Sequence, residues 1–346
     1  MSPLRFLPWA IPALTSARVP QPAAQPSLII PVLLSLSVIP LPLAPEPAPA
    51  PALASAPLLA ASPAPLSDTT RLVVLGTGTP NADPDRSGPS VAVVANGVAY
   101  LVDAGPGLVR RAASLAARIP ALAADRLGTL FLSHLHSDHT VGLPDLIHTG
   151  WVAGRTAPLR IFGPPGTRAM AEHLTAAWQA DITNRTTGLQ PHTENGWKLD
   201  TRDIAGGEVY RDSNVTVTAI PVHHNGWAPG TSFGYRFQTR DRVIVVSGDA
   251  VASPALAEAC NGCDLLVYEV YSTTGYATRS PEWQRYHADA HTSTRELAEL
   301  AQRARPKLLV LYHQLYWGAD DETLIREIRA AGYSGPVVSA RDLGIY

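Results

Sequence analysis

The stretch S-H-L-H-S-D-H at residues 133–139 decides the fold, and it follows an apolar run at residues 127–132. A short β-rich run such as T-L-F-L predicts a buried strand, and a loop at the end of a strand is where an α/β scaffold usually carries its chemistry. Imidazole and carboxylate are the ligands of a hydrolytic zinc ion. Four such side chains fall within six residues here: His134, His136, Asp138 and His139.

The spacing within this stretch predicts two neighbouring metal positions. His134 and His136 lie two residues apart in an extended segment and can point to one side, whereas Asp138 and His139 fall where the chain turns into a helix. The simpler alternative is a set of solvated loop histidines, and the density of potential ligands argues against it.

Four later apolar runs, each predicted to be a strand, also end in polar residues: His223-His224, Asp249, Glu269 and His313. Strands that alternate with helices and end in polar side chains predict an α/β layered domain with one active edge. Strand alternation favours His224 over His223 as the inward residue. One metal could take His134, His136 and His224, and the other Asp138, His139 and His313, with the Asp249 carboxylate bridging.

Two further features have structural interpretations. Asp103 follows a strand at residues 98–102, where a turn-stabilising carboxylate is favoured over a metal ligand. Cys260 and Cys263 form a single C-x-x-C, for which packing of Cys263 is favoured, with a short-loop disulfide as an option in an exported protein.

The first 67 residues differ in composition from the rest and predict a separate segment. They contain half of the 32 prolines of the 346-residue chain and only three charged residues. An apolar stretch at residues 28–43 and a small-residue run at 52–56 resemble an export signal followed by a Pro/Ala-rich linker. We therefore predict a leader at 1–67, a hydrolase domain at 68–346 and a periplasmic or secreted protein. The alternative is a cytoplasmic protein with a disordered tail.

Two properties of the chain argue against whole classes of partner. The uninterrupted apolar length of the leader is short of the ~20 residues that a stable membrane span needs. The formal net charge is −2, which gives no general attraction to RNA or DNA. We expect a small-molecule ester or amide substrate rather than a nucleic acid, and a homodimer remains an open alternative.

In their order along residues 69–346, these motifs resemble the metallo-β-lactamase superfamily of binuclear metallohydrolases. The matching pieces are L-G-T-G-T-P at 75–80, L-V-D-A-G-P-G at 101–107, H-L-H-S-D-H at 134–139, V-T-A-I-P-V-H-H at 217–224, V-V-S-G-D at 245–249 and L-V-L-Y-H at 309–313. The resemblance implies a four-layer αββα sandwich with the metals at one edge. It also implies two Zn²⁺ ions, with Mn²⁺ or Fe²⁺ as alternatives.

Within the superfamily, the chain is similar to the ribonuclease Z and arylsulfatase-like branch. The resemblance rests on Asp138 before His139, F-G-Y-R-F at 233–237, Glu269, and H-T-S-T at 291–294. It implies that His291 stabilises charge at the reaction centre and that Glu269 supports it, with Asp138 counted among the catalytic groups. Ribonuclease Z enzymes usually carry a long tRNA-gripping arm after the G-Y-R strand, and only residues 238–242 stand there. Together with the near-neutral charge and the export-like leader, the missing arm argues against tRNA processing.

The expected reaction is hydrolysis by a hydroxide that bridges the two metals, on a phosphodiester or an aryl phosphate or sulfate ester. Residues 150–159 resemble exported relatives, so a β-lactamase or lactonase is the alternative. A non-catalytic metal-binding protein is a third reading. Four aromatic residues are expected in loops beside the ligands, where they could form a wall for a ring-bearing substrate: Trp227, Tyr271, Trp283 and Tyr286.

Overall fold

The computed structural model of the protein describes residues 69–346, so the predicted leader lies outside the described residues. The strands are β1 (Arg71–Gly76), β2 (Ser90–Ala95), β3 (Val98–Val102), β4 (Thr129–Phe131), β5 (Leu159–Gly163), β6 (Leu199–Asp203), β7 (Gly207–Arg211), β8 (Val215–Pro221), β9 (Phe233–Thr239), β10 (Val243–Val246), β11 (Leu265–Tyr271), β12 (Leu308–Leu315) and β13 (Val337–Ser339). The α-helices are α1 (Leu108–Leu115), α2 (Ser137–Thr140), α3 (Leu143–Val152), α4 (Thr167–Ala177), α5 (Gln179–Thr187), α6 (Pro254–Cys260), α7 (Thr273–Tyr276), α8 (Pro281–Ala290), α9 (Thr294–Ala304) and α10 (Asp321–Ala330).

The strands form two mixed sheets, ordered β1-β2-β3-β4-β5-β6 and β13-β12-β11-β10-β9-β8-β7. Alternate residues along β1 enter different cores: Leu72 and Val74 join a cluster shared by both sheets, whereas Val73 and Leu75 join a cluster with α1 and α3. The outer face of the second sheet packs in the same way against α6, α9 and α10. Two sheets face to face, each covered by helices, confirm the predicted four-layer αββα sandwich.

Parallel pairing brings the ends of distant strands to one edge. Strands β3 to β6 are parallel in the first sheet, and β10 to β13 are parallel in the second. The segments that follow β4, β8 and β10 therefore meet at this edge, and His313 near the end of β12 joins them. Ligands in open α/β sheets bind in this position, outside the carboxyl ends of the strands.

A backbone irregularity in β12 aims His313 at this edge. In the pairing of β11 with β12, Glu269 lies opposite Tyr312 and Val270 lies opposite Gln314, so His313 is the extra residue of a β-bulge. Its φ is 46°. Bulges commonly redirect a side chain next to an active site.

Residues 181–212, which have little sequence pattern, contain more regular structure than the sequence predicts. The sequence pattern of residues 167–180 predicts a single helix, which the structure divides at Trp178 into α4 and α5. Strands β6 and β7 follow, each at the edge of its sheet, and Tyr210 is the one buried residue of the two strands. A strand with so few buried positions has little reason to alternate apolar and polar residues, so it leaves little periodic signal.

Two other predictions concern this body. Strands β9 and β10 are joined by a short turn, as expected from the missing arm. Cys260 and Cys263 form a buried disulfide at the end of α6, the option left open above. No helix within residues 69–346 combines the length and the apolar character required to cross a lipid bilayer.

Candidate metal centre

The first group of predicted ligands consists of three histidines whose ring nitrogens converge. Nε2 of His134 lies 2.9 Å from Nδ1 of His136, and the same Nδ1 lies 3.2 Å from Nε2 of His224. The rings of His134 and His224 are buried, and that of His136 is partly exposed. His223, the rejected neighbour of His224, points away and pairs with Asp289 at 2.9 Å on the surface.

The second group contains Asp138, His139 and His313, all of them buried. Oδ2 of Asp138 lies 3.3 Å from Nε2 of His313 and 3.5 Å from Nε2 of His139. Asp249 lies against the second group, with Oδ1 3.4 Å from Nε2 of His139 and Oδ2 3.4 Å from Nε2 of His313. Its carboxylate also falls within one cluster with His134 and within another with His224.

Asp249 reaches the predicted ligands because the loop after β10 approaches the loop after β4 closely. Gly248 has a φ of 62°, which a residue with a side chain rarely adopts. A Cβ at this position would meet the Ser133 side chain at 2.6 Å. The glycine of the S-G-D motif therefore lets the loop after β10 pack directly on the loop after β4.

Asp103 orients two of the predicted ligands, a role that the sequence analysis missed. Its buried carboxylate accepts hydrogen bonds from Nδ1 of His139 at 2.8 Å and from the Ser133 hydroxyl at 2.8 Å. The Ser133 hydroxyl in turn lies 3.0 Å from Nδ1 of His134. Neither the predicted turn stabilisation nor metal ligation describes this position. The parallel pairing of β3 with β4, which places Asp103 beside Ser133, is a tertiary feature that the sequence does not display.

The donor set fits divalent cations. Nε2 of His139 and Oδ1 of Asp249 are buried without a hydrogen-bond partner among residues 69–346, and they face one another at 3.4 Å. With Nδ1 of His139 donating to Asp103, Nε2 carries the lone pair. His224 has the same arrangement, because its Nδ1 lies 2.7 Å from the carbonyl oxygen of Ala290. Metal-binding histidines are typically held in this way.

The protonation of the first group also suits metal binding. Burial lowers the pKa of His134 well below its ordinary value, and it lowers the pKa of His136 and of His224 to about 4. These rings are therefore neutral at pH 7, and a neutral imidazole offers its lone pair to a metal.

The electrostatic environment of the second group is dominated by nearby carboxylate charges. Burial alone would lower the pKa of His139, but the charges of Asp249, Asp103 and Asp138 outweigh it and raise that pKa well above its ordinary value. A site whose carboxylates favour a proton on a buried ring favours a metal cation for the same electrostatic reason.

His291 and Glu269 are paired beside the two groups. Nδ1 of His291 lies 3.2 Å from Oε1 of Glu269, and the imidazole ring lies 5.2 Å from the ring of His224 and 5.8 Å from that of His313. Burial and the charge of Asp249 raise the pKa of Glu269 well above its ordinary value, whereas burial lowers the pKa of His291 to about 4.

Comparison with known proteins identifies the family. Residues 99–314 match the family described as Beta-lactamase superfamily domain. The chain belongs to this superfamily. Ribonuclease Z of Mycobacterium bovis is 34% identical over 278 residues, which cover 79% of this chain and 96% of the relative. Ribonuclease Z of Mycobacterium marinum is 32% identical over 280 residues, with the same coverage.

Solved structures of the superfamily have the same fold. The metallo-β-lactamase fold protein YhfI from Bacillus subtilis aligns with a TM-score of 0.59 at 19% identity, over 81% of this chain and all of that one. The short form of human tRNase Z aligns with a TM-score of 0.58 at 22% identity, over 80% of this chain and 98% of that one. With the ribonuclease Z relatives, the family match makes this superfamily member a metal-dependent hydrolase.

The expectation of a small-molecule substrate, with nucleic acid disfavoured, is wrong for this superfamily member. Its relatives are ribonucleases Z, matched over 96% of their length, and ribonucleases act on RNA. The net charge of −2 describes only long-range attraction to a polyanion. A hydrolase needs positive charge at the scissile phosphate, and bound metal ions supply it locally whatever the overall charge. The short turn between β9 and β10 is real, but the inference drawn from it was not valid.

Of the four predicted aromatic residues, one lies in a loop at the metal centre. Nε1 of the Trp227 indole lies 3.2 Å from Nε2 of His136. Tyr271 belongs instead to β11, where it is buried and stacks on Tyr276. Trp283 and Tyr286 lie on α8, a helix that the sequence analysis did not predict.

Proposed function

We propose that this hydrolase cleaves phosphodiester bonds in RNA with two divalent metal ions, zinc in the first instance. The observation that carries the proposal is the meeting of two three-residue ligand groups at one shared carboxylate, Asp249. Two metals roughly 3.5–4 Å apart suit an in-line displacement at phosphorus. The identity to ribonuclease Z, which extends over nearly the whole length of those relatives, supports RNA as the substrate.

The chain's own residues define how the metals would be held. His134, His136 and His224 would hold one ion, and Asp138, His139 and His313 the other, and the Asp249 carboxylate would be shared between them. Bound there, the ions supply Lewis-acid polarisation of a phosphoryl oxygen and acidify a water molecule. Asp103 would keep the lone pairs of His139 and His134 aimed inward through the hydrogen bonds described above.

His291 is proposed as the group that stabilises negative charge in the transition state. Glu269 holds its Nδ1, which leaves Nε2 to donate to a phosphoryl oxygen or to the leaving oxygen. A positioned group of this kind contributes roughly 10²–10⁴-fold to the rate.

The test uses purified protein depleted of metal and then reloaded with zinc. The substrate is a 5′-labelled precursor tRNA with a 3′ trailer, and the Asp249→Ala variant is prepared in parallel. We expect endonucleolytic cleavage that zinc restores in the wild-type protein and not in the variant. Opening of a chromogenic β-lactam with no cleavage of RNA would overturn the proposal in favour of the β-lactamase alternative.

A further inference from the structure

Helix α8 is fixed to the metal centre at its C-terminal end. The carbonyl oxygen of Ala290, its last residue, lies 2.7 Å from Nδ1 of the predicted ligand His224. The next residue is His291, and Asp289 pairs with His223 at 2.9 Å. The position of this helix is therefore coupled to the position of the reaction centre.

The N-terminal half of α8 is held as well. The Gln284 side chain donates to the carbonyl oxygens of Tyr276, Ala277 and Arg279, and the Tyr276 hydroxyl donates back to the carbonyl oxygen of Gln284. A helix tied at both ends presents its side chains at defined positions, which binding sites require.

The side of α8 next to the centre carries aromatic rings that lead from solvent to His291. Trp283 is 50% exposed and stacks on His287, with ring centroids 5.4 Å apart and planes inclined by 21°. His287 lies 5.5 Å from His291, and Tyr286 lies 6.2 Å from His291 and 5.7 Å from Trp283. Trp317 supports His287 from the other side, at 4.4 Å.

An exposed tryptophan alone is unremarkable, because apolar atoms form much of any protein surface. Trp283 differs because its ring stacks on the ring of His287. A single ring, that of His287, therefore separates Trp283 from His291, the group proposed to face the substrate. Burial raises the pKa of Tyr286, and the charges of Asp249 and Asp138 add to the rise, which agrees with an orientation towards the metal centre.

We propose that Trp283 and Tyr286 form a stacking platform for an unpaired nucleobase next to the scissile phosphate. The inference rests on the proposed function, because it specifies how that site would recognise single-stranded RNA. Proteins commonly hold unstacked bases against aromatic side chains, and such stacking tolerates every base because each has a π-face. Recognition by stacking also requires no basic groove, which suits a chain of near-neutral charge.

The test compares the binding of two probes that share a phosphate and differ by a base. Adenosine 5′-monophosphate and ribose 5-phosphate are titrated into zinc-loaded wild-type protein by calorimetry, and then into Trp283→Ala and Trp283→Phe. Trp178→Ala serves as the matched control, because Trp178 is 38% exposed and stacks on His148, away from the metal centre. Metal content and thermal unfolding are measured on every variant.

We expect the nucleotide to bind the wild-type protein more tightly than the sugar phosphate does, by about 5- to 150-fold. Trp283→Ala should abolish that preference while keeping its metal, Trp283→Phe should retain part of it, and Trp178→Ala should retain all of it. Equal binding of the two probes to the wild-type protein, or an unchanged preference in Trp283→Ala, would overturn the platform. Failure of the RNA cleavage assay would refute the proposed function. The stacking platform would then still stand or fall on the binding preference alone.

Discussion

At the scale of single residues, the sequence reveals the groups that could bind metal but not the groups that orient them. All seven predicted ligands converge in the structure because each follows an apolar strand, and such positions can be read from the chain. Their role as ligands stays a prediction. Asp103 was interpreted as a turn residue because its partners, Ser133 and His139, are about 30 residues away and meet it only across a parallel strand pair.

Removal of Asp103 tests this orienting role. In Asp103→Ala, the rings of His139 and His134 lose the acceptor chain that fixes their tautomers, so zinc affinity should fall about 10- to 100-fold. Affinity is measured by competition with a chromogenic chelator. Asp212→Ala is the control, because that carboxylate also accepts side-chain hydrogen bonds, from Tyr100 and Tyr210, but far from the centre. Equal zinc affinities in the two variants would contradict the assignment.

Replacement of His291 separates catalysis from metal binding. In His291→Ala, kcat should fall roughly 10²–10⁴-fold with little change in zinc content, because the ring stabilises charge without holding a metal. The measurement combines steady-state kinetics with elemental analysis, and His148→Ala is the matched histidine control. Loss of one zinc ion from His291→Ala would instead make His291 a ligand, since it also lies within ligand distance of His224 and Asp249.

At the scale of elements, strands with a buried face were predictable, and the more exposed edge strands β6 and β7 were not. Strands β1 to β5 and β8 to β12 have apolar runs that locate them, whereas β6 and β7 have no such run. The bulge that places His313 is also invisible in the sequence, because it depends on the pairing of β12 with β11. Helix α8 was missed for a related reason: its buried residues are few, and they face the centre rather than a core.

The contact between α10 and α7 gives a pH-dependent prediction. The Glu327 carboxylate accepts hydrogen bonds from the Ser272 and Thr294 hydroxyls at 2.9 and 2.8 Å and from the backbone N–H groups of Thr273 and Thr274. Burial opposes ionisation, but these hydrogen bonds prevail and lower the pKa of Glu327 below its ordinary value. A carboxyl group with a lowered pKa stabilises the fold above its unfolded-state pKa, and that contribution is lost as the pH falls through the folded-state value.

We therefore expect Glu327→Gln to lower the free energy of unfolding by about 1 kcal/mol at pH 7, a value that allows for the partial exposure of the group. The difference from the wild-type protein should shrink as the pH falls below about 4. Urea unfolding of both proteins at pH 7 and at pH 3.5 measures it. A difference of the same size at the two pH values would show that the charge of Glu327 contributes nothing.

At the scale of the whole molecule, composition predicted the wrong class of substrate. Net charge averages over a surface, whereas phosphodiester chemistry depends on charge at a single site. The division at residue 67 and the export of the chain stay predictions. The Cys260–Cys263 disulfide is compatible with an oxidising compartment, where such bonds persist.

The central claim is that two metal ions share Asp249 and together hydrolyse a phosphodiester. It is tested most directly by native mass spectrometry of zinc-loaded wild-type protein and Asp249→Ala, with hydrolysis of bis(p-nitrophenyl) phosphate measured on the same samples. The account predicts two zinc ions and turnover in the wild-type protein, and fewer ions with no turnover in the variant. Undiminished turnover after chelation of the metals, or in a variant that has lost its zinc, would contradict it.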